Sequence, residues 1–230
     1  MPVDQATPMM DALLDAAVPH VPFDGWSAAT FSAAIADAGV YPAQAKALCP
    51  RGAADLAIAY HLRGDAQMAA VLAKTDLSDM RFRDRVAFAI KLRLADADKE
   101  IVRRGSSLFA LPHMAAEGAK LIWGTADTIW LALGDTSQDV NWYTKRATLS
   151  AVYGSVVLFW LGDDDAGFDD FVDRRIDNVM QFEKLKAQAN DSAILRPFTG
   201  LIASLTSVIK APVRSPNPDL PGVWTEGRDK

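Results

Sequence analysis

The chain reads as an all-α protein on three observations. Apolar residues recur at three- and four-residue spacing along most of its length, which places them on one face of a helix. No segment of useful length alternates apolar and polar residues as a half-buried strand does, and no internal repeat is visible. The interruptions fall at Gly and Pro, which end helices.

In order, Met10, Leu13, Leu14 and Ala17 define a short first helix that stops before Pro19. Ser27 or Thr30 caps a second helix containing Phe31, Ile35 and Ala38, ended by Gly39. A third, weaker segment follows Tyr41-Pro42 and gives way at Pro50 to a helix over 53–63, after which Gly64-Asp65 opens the stretch through Met68, Val71 and Leu72. The spacing of Phe82, Val86, Ile90 and Ala97 predicts one long helix over 78–104, broken by Gly105-Ser106-Ser107. Helices are then expected near 108–114, 117–133 (stopped by Gly134), 141–161 and 168–190. Leu195, Phe198, Leu201, Ile202, Leu205 and Ile209 mark a last amphipathic helix, read either as packed on the bundle or as lying in a membrane interface, and four prolines follow in a non-helical tail.

At 230 residues and 50% apolar, the chain has ample material for a core. A net charge of −5 opposes nonspecific attraction to nucleic acid or anionic lipid. The single cysteine, Cys49, excludes an internal disulfide. Asp4, Asp11 and Asp15 argue against a targeting peptide, and no apolar run is long enough to span a bilayer, so a cytoplasmic chain peripheral to the inner membrane is expected.

Catalysis finds little support. A di-iron bundle site needs Glu-x-x-His pairs on facing helices, and the four glutamates, at 100, 117, 183 and 226, form none. His113 and Glu117, four apart, are one imidazole and one carboxylate; a local contact accounts for them better than a metal shell. His20 and His61 read as helix-end or surface residues with no neighbouring nucleophile motif, and phosphate-binding Gly loops are missing. No enzyme activity and no cofactor are expected.

The densest chemical signal is the run from Gly134 to Arg146. Asp139 or Asn141 can cap the following helix, but capping leaves unexplained the adjacent Trp142-Tyr143 and Lys145-Arg146, a composition typical of recognition surfaces. The stretch GDTSQDVNWYTKRATLSAVY, followed by Asp163-Asp164-Asp165 and Asp173-Arg174-Arg175-Ile176, with Met80 to Val86 and Ala110-Leu111-Pro112 upstream, resembles the signature of the ubiquinone (coenzyme Q) biosynthesis accessory family, the coenzyme-Q-nine family. The resemblance covers residues 78–182. Two places depart from that family's pattern, Ser155-Val156-Val157 and Phe171.

The resemblance implies a TetR-regulator-like helical bundle and a non-catalytic protein that holds isoprenoid quinone intermediates and docks on the demethoxyubiquinone hydroxylase. On that reading Asp135, Ser137, Asp139, Asn141, Trp142, Tyr143, Lys145 and Arg146 meet the partner, with Tyr143 the safest surface residue because the helical phase turns Trp142 toward the core stripe. The apolar stripe Ile122, Trp123, Ala126, Ile129 and Trp130 is by itself plain core; the resemblance makes it the candidate lipid wall. Leu195 to Ile209 is the candidate membrane contact. The helix over 141–161 is apolar on both sides, and its small-residue face of Ala147, Ala151, Gly154 and Leu158, with the resemblance, implies a homodimer.

The first sixty residues resemble the DNA-binding arm of TetR regulators, with Gly25-Trp26, the helix through Thr30-Phe31 and Ile35-Ala36, and the Ala38-Gly39-Val40 turn. Between Val40 and Pro50 the only cation is Lys46, with Arg51 just beyond. Phosphate contact needs more positive charge than that, so the arm reads as a retained scaffold and no nucleic-acid partner is expected. The organisation is an arm over 1–60, a lipid-binding and dimerisation bundle over 61–190, the amphipathic helix over 191–210 and a tail over 211–230. The rival readings are a TetR-type transcriptional regulator and an interaction module without a ligand.

Overall fold

The computed structural model describes residues 3–162, 167–177 and 211–212, and all regular structure among them is helical. The elements are α1 (Val3–Ala17), α2 (Val21–Asp24), α3 (Ala28–Asp37), α4 (Pro42–Leu48), α5 (Ala53–Leu72), α6 (Phe82–Ala95), α7 (Lys99–Phe109), α8 (Ala115–Ala132) and α9 (Val140–Trp160). Residues 168–177 are helical as well. The expected membrane helix, with Leu195, Phe198, Leu201, Ile202, Leu205 and Ile209, lies outside the described residues, as does the Asp163 to Asp165 run.

The arm forms as its caps predict. Ser27 Oγ accepts from the Thr30 N–H and starts α3, while the Thr30 hydroxyl donates to the Gly25 carbonyl at 2.6 Å. Gly39, at φ 63°, ends the turn between α3 and α4 in the left-handed region that favours glycine. A core of Leu13, Leu14, Val21, Phe31 and Leu56 joins α1 to α5. A second core runs through Met68, Ile90, Ile129, Leu149, Val156 and Val172. Both family departures serve it: Val156 is buried there, and Phe171 stacks on Phe159 at 4.1 Å.

Three boundaries differ from the sequence reading. Gly64-Asp65 does not start a helix, because α5 runs unbroken through it. The reason is tertiary: a Cβ at position 64 would meet the Arg93 guanidinium carbon at 2.6 Å, so the glycine makes room for an arginine crossing from α6. The long helix expected over 78–104 is two, α6 and α7, divided at Asp98, whose Oδ1 accepts from the Glu100 and Ile101 N–H groups. Gly105 is no break either; it lies inside α7 under the Trp26 ring, and in place of a separate helix over 108–114 residues 108 and 109 end α7 and 110–114 form a turn.

Candidate functional site

The α8–α9 corner brings the Gly134–Arg146 run together. Gly134, at φ 83°, ends α8, and the Asp135 N–H returns to the Trp130 carbonyl at 2.9 Å. That turn aims the Asp135 carboxylate inward. Its Oδ1 accepts from Lys145 Nζ at 2.7 Å and Ser137 Oγ at 2.8 Å, and its Oδ2 accepts from Arg146 Nη1 at 2.9 Å. Burial alone would raise the Asp135 pKa, but the bonds from Lys145, Arg146 and Ser137 outweigh it and hold the carboxyl well below the usual carboxylate range. Asp139 caps α9 by accepting from the Asn141 N–H at 3.0 Å, and Asn141 Nδ2 donates to its other oxygen.

Arg146 corrects the sequence reading. Expected at the surface as a partner contact, it is 0% exposed. Its Nε donates to Asp127 of α8 at 2.5 Å, while Nη1 donates to Asp135 and to the Trp142 carbonyl. Trp142 precedes it by four residues, so ring and guanidinium share a helix face, and they stack at 4.1 Å. Arg146 therefore positions the corner from beneath. Lys145 is likewise committed, to Asp135 and Ser137, and lies 5.1 Å over the Trp130 ring.

Above this network runs an aromatic ladder. Trp123 lies 6.0 Å from Trp142, and Trp142 meets Tyr143 edge-on at 4.8 Å. Trp142 is half-buried, as its helical phase predicts, and Tyr143 is 36% exposed at the outer end. Asp139 and Asn141 are also exposed. Ala211 donates its N–H to the Gln138 carbonyl at 3.0 Å, so the chain returns beside the corner.

The expected lipid wall is divided. Ala126 and Ile129 are sealed in the bundle core, which corrects their place in a lipid-facing stripe, while Ile122, Trp123 and Trp130 are half-buried and pack against their neighbours. One cavity of about 250 Å³ lies between α1, α5 and α6, and another of about 680 Å³ is lined by Leu94, Lys91, Lys99, Trp160 and Phe168. Neither is lined by the Trp123–Trp130 stripe.

His61 is a second correction. It is half-buried rather than at the surface: its Nε2 lies 2.8 Å from Thr125 Oγ1, against a buried polar group of Thr125, Asp65, Arg93 and Tyr153 that sequence reasoning missed. The available signal was the spacing of His61 and Asp65, four apart on one helix face. Glu117 pairs with Arg51 at 3.1 Å, rather than meeting His113 as expected, and Arg51 also binds Asp55. His20 meets Asp37 at 2.7 Å. Among the described residues no three His, Cys, Asp or Glu side chains gather as metal ligands, and no helix is long and apolar enough to cross a membrane.

By fold the chain is TetR-like. It superposes on the crystal structure of the TetR transcriptional regulator from Nitrosomonas europaea ATCC 19718 with a TM-score of 0.59 and 19% identity, covering 74% of this chain and 96% of that one. The COQ9 family model matches residues 115–183, the span holding α8, the corner and α9. Ubiquinone biosynthesis protein COQ9, mitochondrial, of Homo sapiens is 26% identical over 212 residues, which cover 85% of this chain and 66% of that protein. The probable ubiquinone biosynthesis protein coq9, mitochondrial, of Dictyostelium discoideum is 28% identical over 185 residues, covering 76% of this chain and 60% of that protein. The matches thus span less than two thirds of either relative. The chain is similar to COQ9 proteins, and the segment that the family model matches includes the α8–α9 corner.

Proposed function

We propose that this protein acts in ubiquinone biosynthesis as a non-catalytic accessory that holds an isoprenoid quinone intermediate and docks on the demethoxyubiquinone hydroxylase at a membrane surface. The observation that carries the reading is the Trp123–Trp142–Tyr143 ladder, held from below by Arg146, Asp127 and Asp135. A partly exposed aromatic on a stiff support suits a binding hot spot, because little side-chain entropy is lost when a partner covers it. Asp139 and Asn141 supply exposed polar rim beside it. The 680 Å³ cavity, with Trp160, Phe168 and Leu94 on its apolar side, lies within the size range of ligand sites and is the better place for part of a lipid than the sealed Ala126–Ile129 stretch. A homodimer belongs to the same reading: Ala147 and Ala151 of α9 are exposed, and Leu158 is 71% exposed, a face that a second copy would cover. Native mass spectrometry of the purified protein tests the lipid, with a copurified isoprenoid expected and an empty protein counting against it.

Tyr143→Ala is expected to weaken hydroxylase binding by about 2 kcal/mol, roughly 30-fold, with helical content and melting nearly unchanged. Titration calorimetry beside thermal denaturation reads both, and equal affinity of variant and parent removes Tyr143 from the interface. Lys145→Glu is not a clean surface test, since it would place a carboxylate against Asp135.

The regulator reading loses a further cation to Arg51, whose guanidinium is held by Asp55 and Glu117. Any DNA binding by the arm is expected to be weak and to vanish at moderate salt. A sequence-specific complex surviving physiological salt in an electrophoretic shift assay would restore the regulator.

A further inference from the structure

Helix α5 joins the two hydrophobic cores. Its Leu56 and Ala57 belong to the arm core, and its Met68 and Leu72 to the bundle core. Between them lies a polar seam to which four helices contribute. From α5 come His61 and Asp65, from α6 Arg93, from α8 Thr125 and from α9 Tyr153; of these only His61 is more than a tenth exposed in its side chain. Arg93 Nε donates to Asp65 Oδ1 at 2.6 Å, and its Nη2 donates to the His61 carbonyl at 3.0 Å. Thr125 Oγ1 lies 3.0 and 3.1 Å from the two Asp65 oxygens, 2.8 Å from His61 Nε2, and within bonding reach of the Tyr153 hydroxyl.

One proton arrangement satisfies this set. The single Thr125 hydrogen goes to the Asp65 carboxylate, a stronger and nearer acceptor than the Leu121 carbonyl at 3.2 Å, and the two Thr125 lone pairs accept from His61 Nε2–H and Tyr153 O–H. Arg93 and Asp65 cancel in charge, and the imidazole is neutral. A proton added to His61 would put a net positive charge into the seam, beside Arg93. Asp65 Oδ2, 3.6 Å away, would attract that charge but is too far to bond the ring, and Oδ1 is already held by Arg93. The groups facing His61 are thus Asp65 on its own helix, Arg93 from α6, Thr125 and the Leu121 carbonyl from α8, and Tyr153 beyond Thr125 from α9.

We propose that the seam is a proton-operated joint: protonation of His61 loosens α5 from α6, α8 and α9, freeing the arm core to move against the bundle core. Direction and geometry agree, since burial, the largest influence, lowers the His61 pKa, Asp65 opposes that shift and Arg93 reinforces it. A histidine held neutral in the closed form stabilises it above the ordinary imidazole value of 6.5, and that stability is lost as pH falls below it. Helix α8 extends the effect, because it carries Thr125 for the seam and Asp127 for Arg146 two residues on.

Hydrogen exchange of the full chain at pH 7 and pH 5, corrected for intrinsic exchange chemistry, tests the joint. Opening of peptides spanning residues 57–68 and 119–129 is expected to rise several-fold at the lower pH. The ceiling is roughly 25-fold, for an imidazole that titrates normally only in the open form. His61→Gln keeps an N–H for Thr125 without a titrating group, and its opening should be flat between the two pH values. No rise in the parent protein, or an equal rise in His61→Gln, overturns the proposal. Should the variant fail to fold, the His61 ring titration followed by NMR in the parent chain decides instead: titration below the ordinary histidine range supports the joint, and titration within or above it overturns it.

Discussion

Arg146→Met is expected to destabilise the protein by about 3–5 kcal/mol, read as a lower urea midpoint at unchanged m-value. Methionine fills much of the same volume, so the loss comes from charge and hydrogen bonds. The variant leaves Asp127 without its 2.5 Å donor and Asp135 with Lys145 as its one remaining cation, in a site where the Asp135 side chain is almost wholly buried. Arg146→Lys restores a charge without the fork that reaches both carboxylates, so it should recover only part of the loss. The acid side gives a second readout. The Asp135 pKa is depressed in the folded state, so its stabilising effect is present above the ordinary aspartate value of 3.8 and is lost as pH falls through the lower folded value. Removing Arg146 relaxes that depression, and acid unfolding should begin at a higher pH than in the parent.

Asp65→Ala is the second large effect, again about 3–5 kcal/mol. It strands the Arg93 guanidinium in the seam and removes the carboxylate acceptor of Thr125, leaving a buried charge unpaired. The double variant Asp65→Leu, Arg93→Met removes both charges and should regain much of the stability of the single one, because a well-packed apolar pair is often no worse than a buried ion pair. If the single variant melts like the parent, the Arg93–Asp65 bond carries no structural weight.

How far the sequence could be read depended on whether its signals were local. The arm helices, the Asp139 cap and the Gly39 and Gly134 stops were legible because each depends on residues within a turn of one another. Gly64 was misread because Gly-Asp is a turn signal, whereas its small size answers Arg93, twenty-nine residues away. The apolar spacing from Phe82 to Ala97 concealed the α6–α7 boundary, since Asp98 interrupts the helix without interrupting the period. At the corner, composition marked the stretch but not its inward side. Lys145 and Arg146 reach Asp135 from ten and eleven residues on, across a turn, and no helical periodicity links those positions. Tyr143, placed by helical phase alone, stands at the exposed end as expected. His61 was read as surface because the groups that bury it come from three other helices.

Turnover by the demethoxyubiquinone hydroxylase on vesicles containing demethoxyubiquinone, with and without this protein, measures the proposed presentation of a lipid to a docked enzyme directly. Addition of the protein is predicted to raise turnover several-fold, and the Tyr143→Ala variant, folded to the same extent, to lose most of the gain. Turnover that is unchanged by the parent protein, or raised equally by both, would contradict presentation through the α8–α9 corner.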